Sequence, residues 1–167
     1  MCVSSGNEVA LEEKEMTKPN LKVRDLEARP RTEMSEEDPV KGLFDPVTFD
    51  VYYQPDYTEQ TRARPGFVPA EPIRIGSFTF APMPSCCGVV VSTGSYILPE
   101  YRDYRAYRFH DLKEHVAREL GYSCMLATTH TSNFPEVIGA AKHGWKMHPA
   151  FINKRTGNQL TVMEKHL

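Results

Sequence analysis

The sequence predicts an α/β domain of the α+β kind: a mixed sheet flanked by helices and preceded by an extended N-terminal arm. Three observations carry this expectation. Residues 88–98, GVVVSTGSYIL, are apolar and β-branched enough for a buried strand. Residues 101–120 repeat apolar side chains at helical spacing, which puts Phe109, Leu112, Val116 and Leu120 on one face. Beyond them the chain reads strand, helix, strand, strand, so the whole run is a layered sheet that ends in an antiparallel pair.

Each element follows from local chemistry. Residues 1–40 carry ten acidic and six basic side chains, hold no aromatic residue and show no sustained apolar period. Such a segment buries too little apolar surface to offset its ordering entropy, so it reads as a flexible arm or one laid on a partner. In residues 41–84 the β-prone patch Phe44, Val47, Phe49, Val51, Tyr52 and Tyr53 is followed by a connection that Pro65, Pro69 and Pro72 keep from being helical. Ile73, Ile75, Phe78 and Phe80 then suggest a short strand or hairpin, and the stretch as a whole reads as arm or edge structure. Gly94 marks a bulge or kink in the buried strand, and Pro99 ends it. In the helix Asp111, Glu114 and Arg118 fall on the outer surface, with Glu114–Arg118 an i,i+4 pair, and Gly121 stops it. Ser123–Thr128 reads as a strand. Ser132 or Asn133 can cap the next helix, with Pro135 in its first turn and Gly144 beyond its end. Trp145–Ile152 reads as a strand despite Pro149, with Trp145 in the core, and QLTVMEK alternates as the last one.

Composition excludes several function classes. A length of 167 residues fits one domain, and no apolar run approaches membrane-spanning length or a secretory leader. A net charge of −2 gives no long-range pull towards nucleic acid. The tyrosines interleaved with Arg102, Arg105 and Arg108 nevertheless leave nucleic-acid contact open beside phosphate grip and surface ion pairing. Cys2, Cys86, Cys87 and Cys124 show no zinc-type spacing, and six histidines never form a metal motif, so no metal site is expected. The cysteines read as buried small hydrophobes in a reducing compartment, with a reactive thiol at Cys86 or Cys87 as the alternative. That points to a cytoplasmic protein or to a particle assembled inside a cell.

Specific residues then resemble the C-terminal half of the GNAT acyltransferases. That family ends a strand with a phrase like V-x-P-x-x-R before its acyl-CoA pyrophosphate loop, and here Ile97-Leu98-Pro99-Glu100-Tyr101-Arg102 stands in that place. The family's later Asn, short helix and Gly-Phe match Asn133 and, eleven residues on, Gly144-Trp145. The likeness covers residues 85–167 and implies a GNAT-like domain over 41–167. It implies acetyl-CoA as co-substrate, held by Ile97, Leu98, Arg102, Arg105, Arg108 and Asn133. A pyrophosphate suits a helix N-terminus because unpaired backbone N–H groups converge there. Two departures stand out. The loop positions that the family keeps small hold Arg105 and Tyr107, and Ala140 stands where many members carry a proton-donating tyrosine. His130, at the end of the preceding strand, is the substitute acid or base.

Two functions follow from the resemblance. The first is acyl-CoA-dependent N-acyl transfer, of an acetyl or similar group, to an amine acceptor. The second is a non-catalytic GNAT-derived structural or internal virion protein of a bacteriophage. T-S-N-F-P-E-V (131–137) is similar to the strand-to-helix junction of such proteins, and the arm would bind a protein partner.

Overall fold

The computed structural model describes residues 20–31, 45–102 and 105–167, with the backbone alone at 105–107. Their nine strands form one sheet with the expected helices packed on it. Strands β1 (Lys22–Val23), β2 (Leu26–Pro30), β3 (Val47–Tyr53), β4 (Ile73–Pro82) and β5 (Val89–Ile97) are sequential antiparallel neighbours. A four-residue helix α1 (Glu59–Arg62) interrupts the proline-rich connection between β3 and β4, capped by the Thr58 hydroxyl. Past a 3-10 turn at Pro99–Tyr101 comes α2 (Arg105–Glu119), then β6 (Cys124–His130), α3 (Phe134–Lys142), β7 (Lys146–Met147), β8 (Phe151–Ile152) and β9 (Gln159–His166). β6 lies parallel to β5, and β9 returns antiparallel to β6.

The core follows from strand alternation. Phe49 and Val51 of β3, Phe78 and Phe80 of β4 and Val90 of β5 point to one face, where Phe109, Leu112 and Val116 of α2 meet them. Phe49 stacks on Phe78 at 5.1 Å between centroids, and Phe109 meets Phe78 edge-on at 5.7 Å.

The structure differs from the sequence expectations in five places. Residues 47–53 and 73–82 are long inner strands rather than arm or edge structure, because their aromatic residues fall on a single pleat face. Part of the expected arm, residues 22–30, is a hairpin whose Leu26 and Ala28 enter the core. A two-residue turn, with Arg24 at φ 53°, makes it possible, and the rest of the arm lies outside the described residues. Glu114 is buried rather than on the outer surface, where it meets both Arg118 at 3.3 Å and the Lys165 side chain of β9 at 3.7 Å. Pro149 splits the strand expected at 145–152 into β7 and β8. Cys86 and Cys87 are exposed in the β4–β5 turn, and Cys124 is half-buried, so burial is not what these thiols share. Cys2 lies outside the described residues.

The feature that positions the site is a split between β5 and β6. Their parallel pairing runs from Val89 and Cys124 only to Ser92 and Ala127. Both strands continue beyond that point, β5 to Ile97 and β6 to His130. The cause lies in β5. Ser77 and Thr79 of β4 pair with Tyr96 and Thr93, so β5 carries one extra residue, a bulge at Gly94–Ser95. Gly94 has φ 60°, in the left-handed region that favours glycine, and the expected kink is there. The bulge keeps β5 on β4 while turning it away from β6.

Candidate active site

A cavity of about 450 Å³ opens at this split. Ser95, Tyr96 and Ile97 form its β5 wall, with Arg102 just beyond. Phe109, His110 and Lys113 of α2 and Asn133, Pro135, Glu136 and Gly139 at the start of α3 complete it. Helical geometry explains the α2 wall: Phe109 and Lys113 are one turn apart, and His110 lies beside them.

The cavity wall is charged. Lys113 is 2% exposed; its ammonium donates to Ser95 Oγ at 3.3 Å and sits 5.5 Å from the Phe109 ring centre. Burial pushes its pKa down to about 8, against the opposing pull of Glu136 and Glu114. His110 Nε2 lies 3.3 Å from Glu136 Oε1. Burial lowers the His110 pKa, which outweighs its hydrogen bond to Glu136, so the imidazole is neutral at pH 7. The same hydrogen bond holds the Glu136 carboxyl below its ordinary value, and Lys113 adds to the effect. Neutral His110 therefore donates Nε2–H to an ionised Glu136, while its buried Nδ1 has no hydrogen-bond partner among the described residues. Trp145 and His143 flank the ring at 5.8 and 6.1 Å between centroids.

The residues expected from sequence fall in different places. Ile97, Arg102 and Asn133 line the cavity. Arg102 is fixed at its mouth by an Nε–H bond to Ile97 O at 2.8 Å, and its guanidinium lies 5.4 Å from the Tyr96 ring centre. Leu98 is set back, its N–H bound to Ile75 O at 2.8 Å. Asn133 stands at the N-terminus of α3 without capping it through its side chain, whose Nδ2–H instead reaches Thr129 Oγ1 at 3.4 Å. Arg108 turns towards the β1–β2 hairpin, where its guanidinium meets Asp25 at 2.5 Å, so this charge already has a carboxylate partner. The Arg105 side chain lies outside the described residues. His130 is exposed at the end of β6, with Nε2 3.5 Å from Asn158 Nδ2, and is not among the cavity-lining residues. His110, Lys113 and Glu136 escape a sequence reading built on apolar periodicity. The one available signal was Lys113, which occupies a position between Phe109 and Val116 on the apolar stripe.

At the level of sequence, no family model and no curated protein matches the chain. Solved structures do. A probable acetyltransferase of the GNAT family from Chromobacterium violaceum superposes over 99% of this chain and 96% of its own, with a TM-score of 0.59 and 13% identity. A GNAT family acetyltransferase from Elizabethkingia anophelis, with acetyl-CoA bound, gives 0.58 and 10% identity over 86% of this chain and 99% of its own. An IAA acetyltransferase from Bacillus cereus gives 0.53 and 10% identity over 85% and 98%. The fold is the GNAT fold.

The GNAT resemblance drawn from residues 85–167 thus extends to the N-terminal strands, which sequence alone left unassigned. The bacteriophage likeness has no counterpart in these three structures. No helix among the described residues is long and apolar enough to cross a membrane.

Proposed function

We propose that the chain is an acyl-CoA-dependent N-acyltransferase that works in the cavity walled by β5, α2 and α3 beside the β5–β6 split. The observation that carries this reading is the split itself. Beyond Ser92 the β6-facing backbone of β5 has no strand partner among the described residues, so its N–H and C=O groups are available to an extended amide-bearing chain. A pantetheine arm has that chemistry. Ile97 supplies an apolar wall, and Arg102 at the mouth suits a pyrophosphate.

The residues also support the transfer step. An acceptor ammonium must lose a proton before its nitrogen attacks the thioester carbon; the C–N bond then forms, the C–S bond breaks and the thiolate leaves with a proton. Neutral His110, which lines the cavity and is held in one tautomer by Glu136, is the candidate to take the first proton. His130 remains the candidate that the strand order suggests; His110 lines the cavity and His130 does not, which favours His110 over it.

Titration with acetyl-CoA, followed by thermal melting, tests the reading. At a hundred times Kd the ligand stabilises the fold by about 2.7 kcal/mol. With an amine acceptor present, release of free thiol accompanies binding, and H110N lowers kcat more than it raises KM. No stabilisation at millimolar acetyl-CoA would sink the proposal. Binding without turnover by any amine would identify the non-catalytic alternative, which Arg105 and Tyr107 at the loop's small-residue positions favour.

A further inference from the structure

A second cluster lies apart from the cavity. On β6 and β9, Cys124 pairs directly with His166, and Glu164 sits two residues along β9 on the same pleat face. Met125 and Met163 alternate with them and point to the buried face, so the cluster is on the opposite side of the sheet. Cys124 Sγ, a Glu164 carboxylate oxygen and a His166 imidazole nitrogen all fall within 4.8 Å of one another. Glu164 is held from two sides: Oε2 lies 2.6 Å from His148 Nε2, and Oε1 lies 2.9 Å from His166 Nε2. The first of these contacts is the main cause that keeps the carboxyl below its ordinary pKa.

We infer that Cys124, Glu164 and His166 form a binding site for a divalent metal ion of the zinc type. The donor set is one thiolate sulfur, one imidazole nitrogen and one carboxylate oxygen, which suits a borderline ion and disfavours calcium or magnesium. Three protein ligands leave a fourth tetrahedral position open for water or another group. Bonds of about 2.0–2.3 Å separate tetrahedral ligands by about 3.3–3.8 Å, so the cluster needs a small adjustment: spacings of up to 4.8 Å close, and the 2.9 Å Glu164–His166 contact opens. His166 can supply it, since its side chain is exposed and free to turn. Its backbone is not free: beyond it the Leu167 N–H bonds to Ser123 O at 2.9 Å, which extends the β6–β9 ladder past the cluster. His148 acts behind the ligands. It grips Oε2 and leaves Oε1 for the ion, the carboxylate–imidazole support found around metal centres.

Coordination is balanced in protons. The Cys124 S–H bond breaks, the metal–sulfur bond forms, and the proton passes to solvent. His166 leaves its 2.9 Å contact with Glu164 and presents the Nε2 lone pair to the ion, with its proton on Nδ1. Sequence motifs miss such a site because the donors meet across strands and not along a helix or knuckle.

The test uses the full, tag-free chain with C2S, C86S and C87S, which leaves Cys124 as the single thiol among the four cysteines. Titration with Co²⁺ should give a thiolate-to-metal charge-transfer band that saturates at one equivalent and is discharged by Zn²⁺. C124S should abolish the band while melting as a folded protein. H148A should weaken Zn²⁺ by roughly 10- to 100-fold, measured against a chromophoric chelator, and H166A by more. A folded parent that shows no such band overturns the inference. So does a Zn²⁺ affinity unchanged in both H166A and C124S.

Discussion

Lys113 shows how one residue can be unfavourable for the fold and still have a place at the site. Its ammonium is enclosed, its side chain donates to a serine hydroxyl at 3.3 Å, and its pKa falls from 10.5 to about 8. The sign of the pH effect follows from that depression. Below about pH 8 the folded and unfolded states are both protonated, and the cost of burying the charge is fully present. As pH rises from 8 to 10.5 the folded state sheds its proton first, the unfolded state binds more, and stability increases. Lys113→Met keeps the volume and removes the charge. It should stabilise the protein at pH 7 by on the order of 3 kcal/mol, an advantage that shrinks towards pH 10. Urea unfolding of both proteins at the two pH values measures this, and equal stabilities at pH 7 would show that the ammonium is not desolvated. The sequence could not show this residue's role. A lysine in an apolar stripe looks like a solvated interruption until a second element covers it, and α3 comes from 21 residues further on.

At the scale of elements, the shape of β5 decides whether there is a cavity. Gly94 was legible, because a glycine inside a β-branched run has few other uses. Gly76 was not, because its role is to be close to another strand. A Cβ there would lie 2.3 Å from Tyr96 O, a backbone atom of the cavity wall. The Gly76 φ is not positive, so its cost on substitution is steric and falls on β5 alone. Gly76→Ala should therefore push the Tyr96–Ile97 segment outward and cost about 1–3 kcal/mol, partly offset by the lower entropy of the unfolded chain. The displacement also predicts weaker acetyl-CoA stabilisation in the variant than in the parent. Thermal melts with and without ligand give both quantities, and an unchanged melt would mean that β4 and β5 separate without cost. The remaining elements divide in the same way. α2 and β9 were plain in their periodicity, whereas Pro149 had to be weighed against a β-prone context and broke the strand in two.

The whole molecule depends on a segment whose composition argues against it. Residues 1–40 are polar on average, yet within them Leu26 and Ala28 occupy alternate positions of β2 and enter the core beside β3. Average composition hides two apolar residues at strand spacing, and their partners Tyr53 and Val51 lie 27 and 23 residues away. α2 reaches the same hairpin through Arg108 and Asp25, so the sheet edge and the helix that lines the cavity are tied together. A hairpin that merely docked on a finished domain would open by itself, at a fraction of the global unfolding free energy. One built into the core would unfold with everything else. Leu26, with 0% of its surface exposed, separates the two cases. Leu26→Ala should lower global stability by about 2–5 kcal/mol with an unchanged denaturant slope, and should speed amide exchange in α2 as much as in β2. If exchange rises in β2 alone and the global midpoint holds, the hairpin is an appendage and the cooperative unit begins at β3.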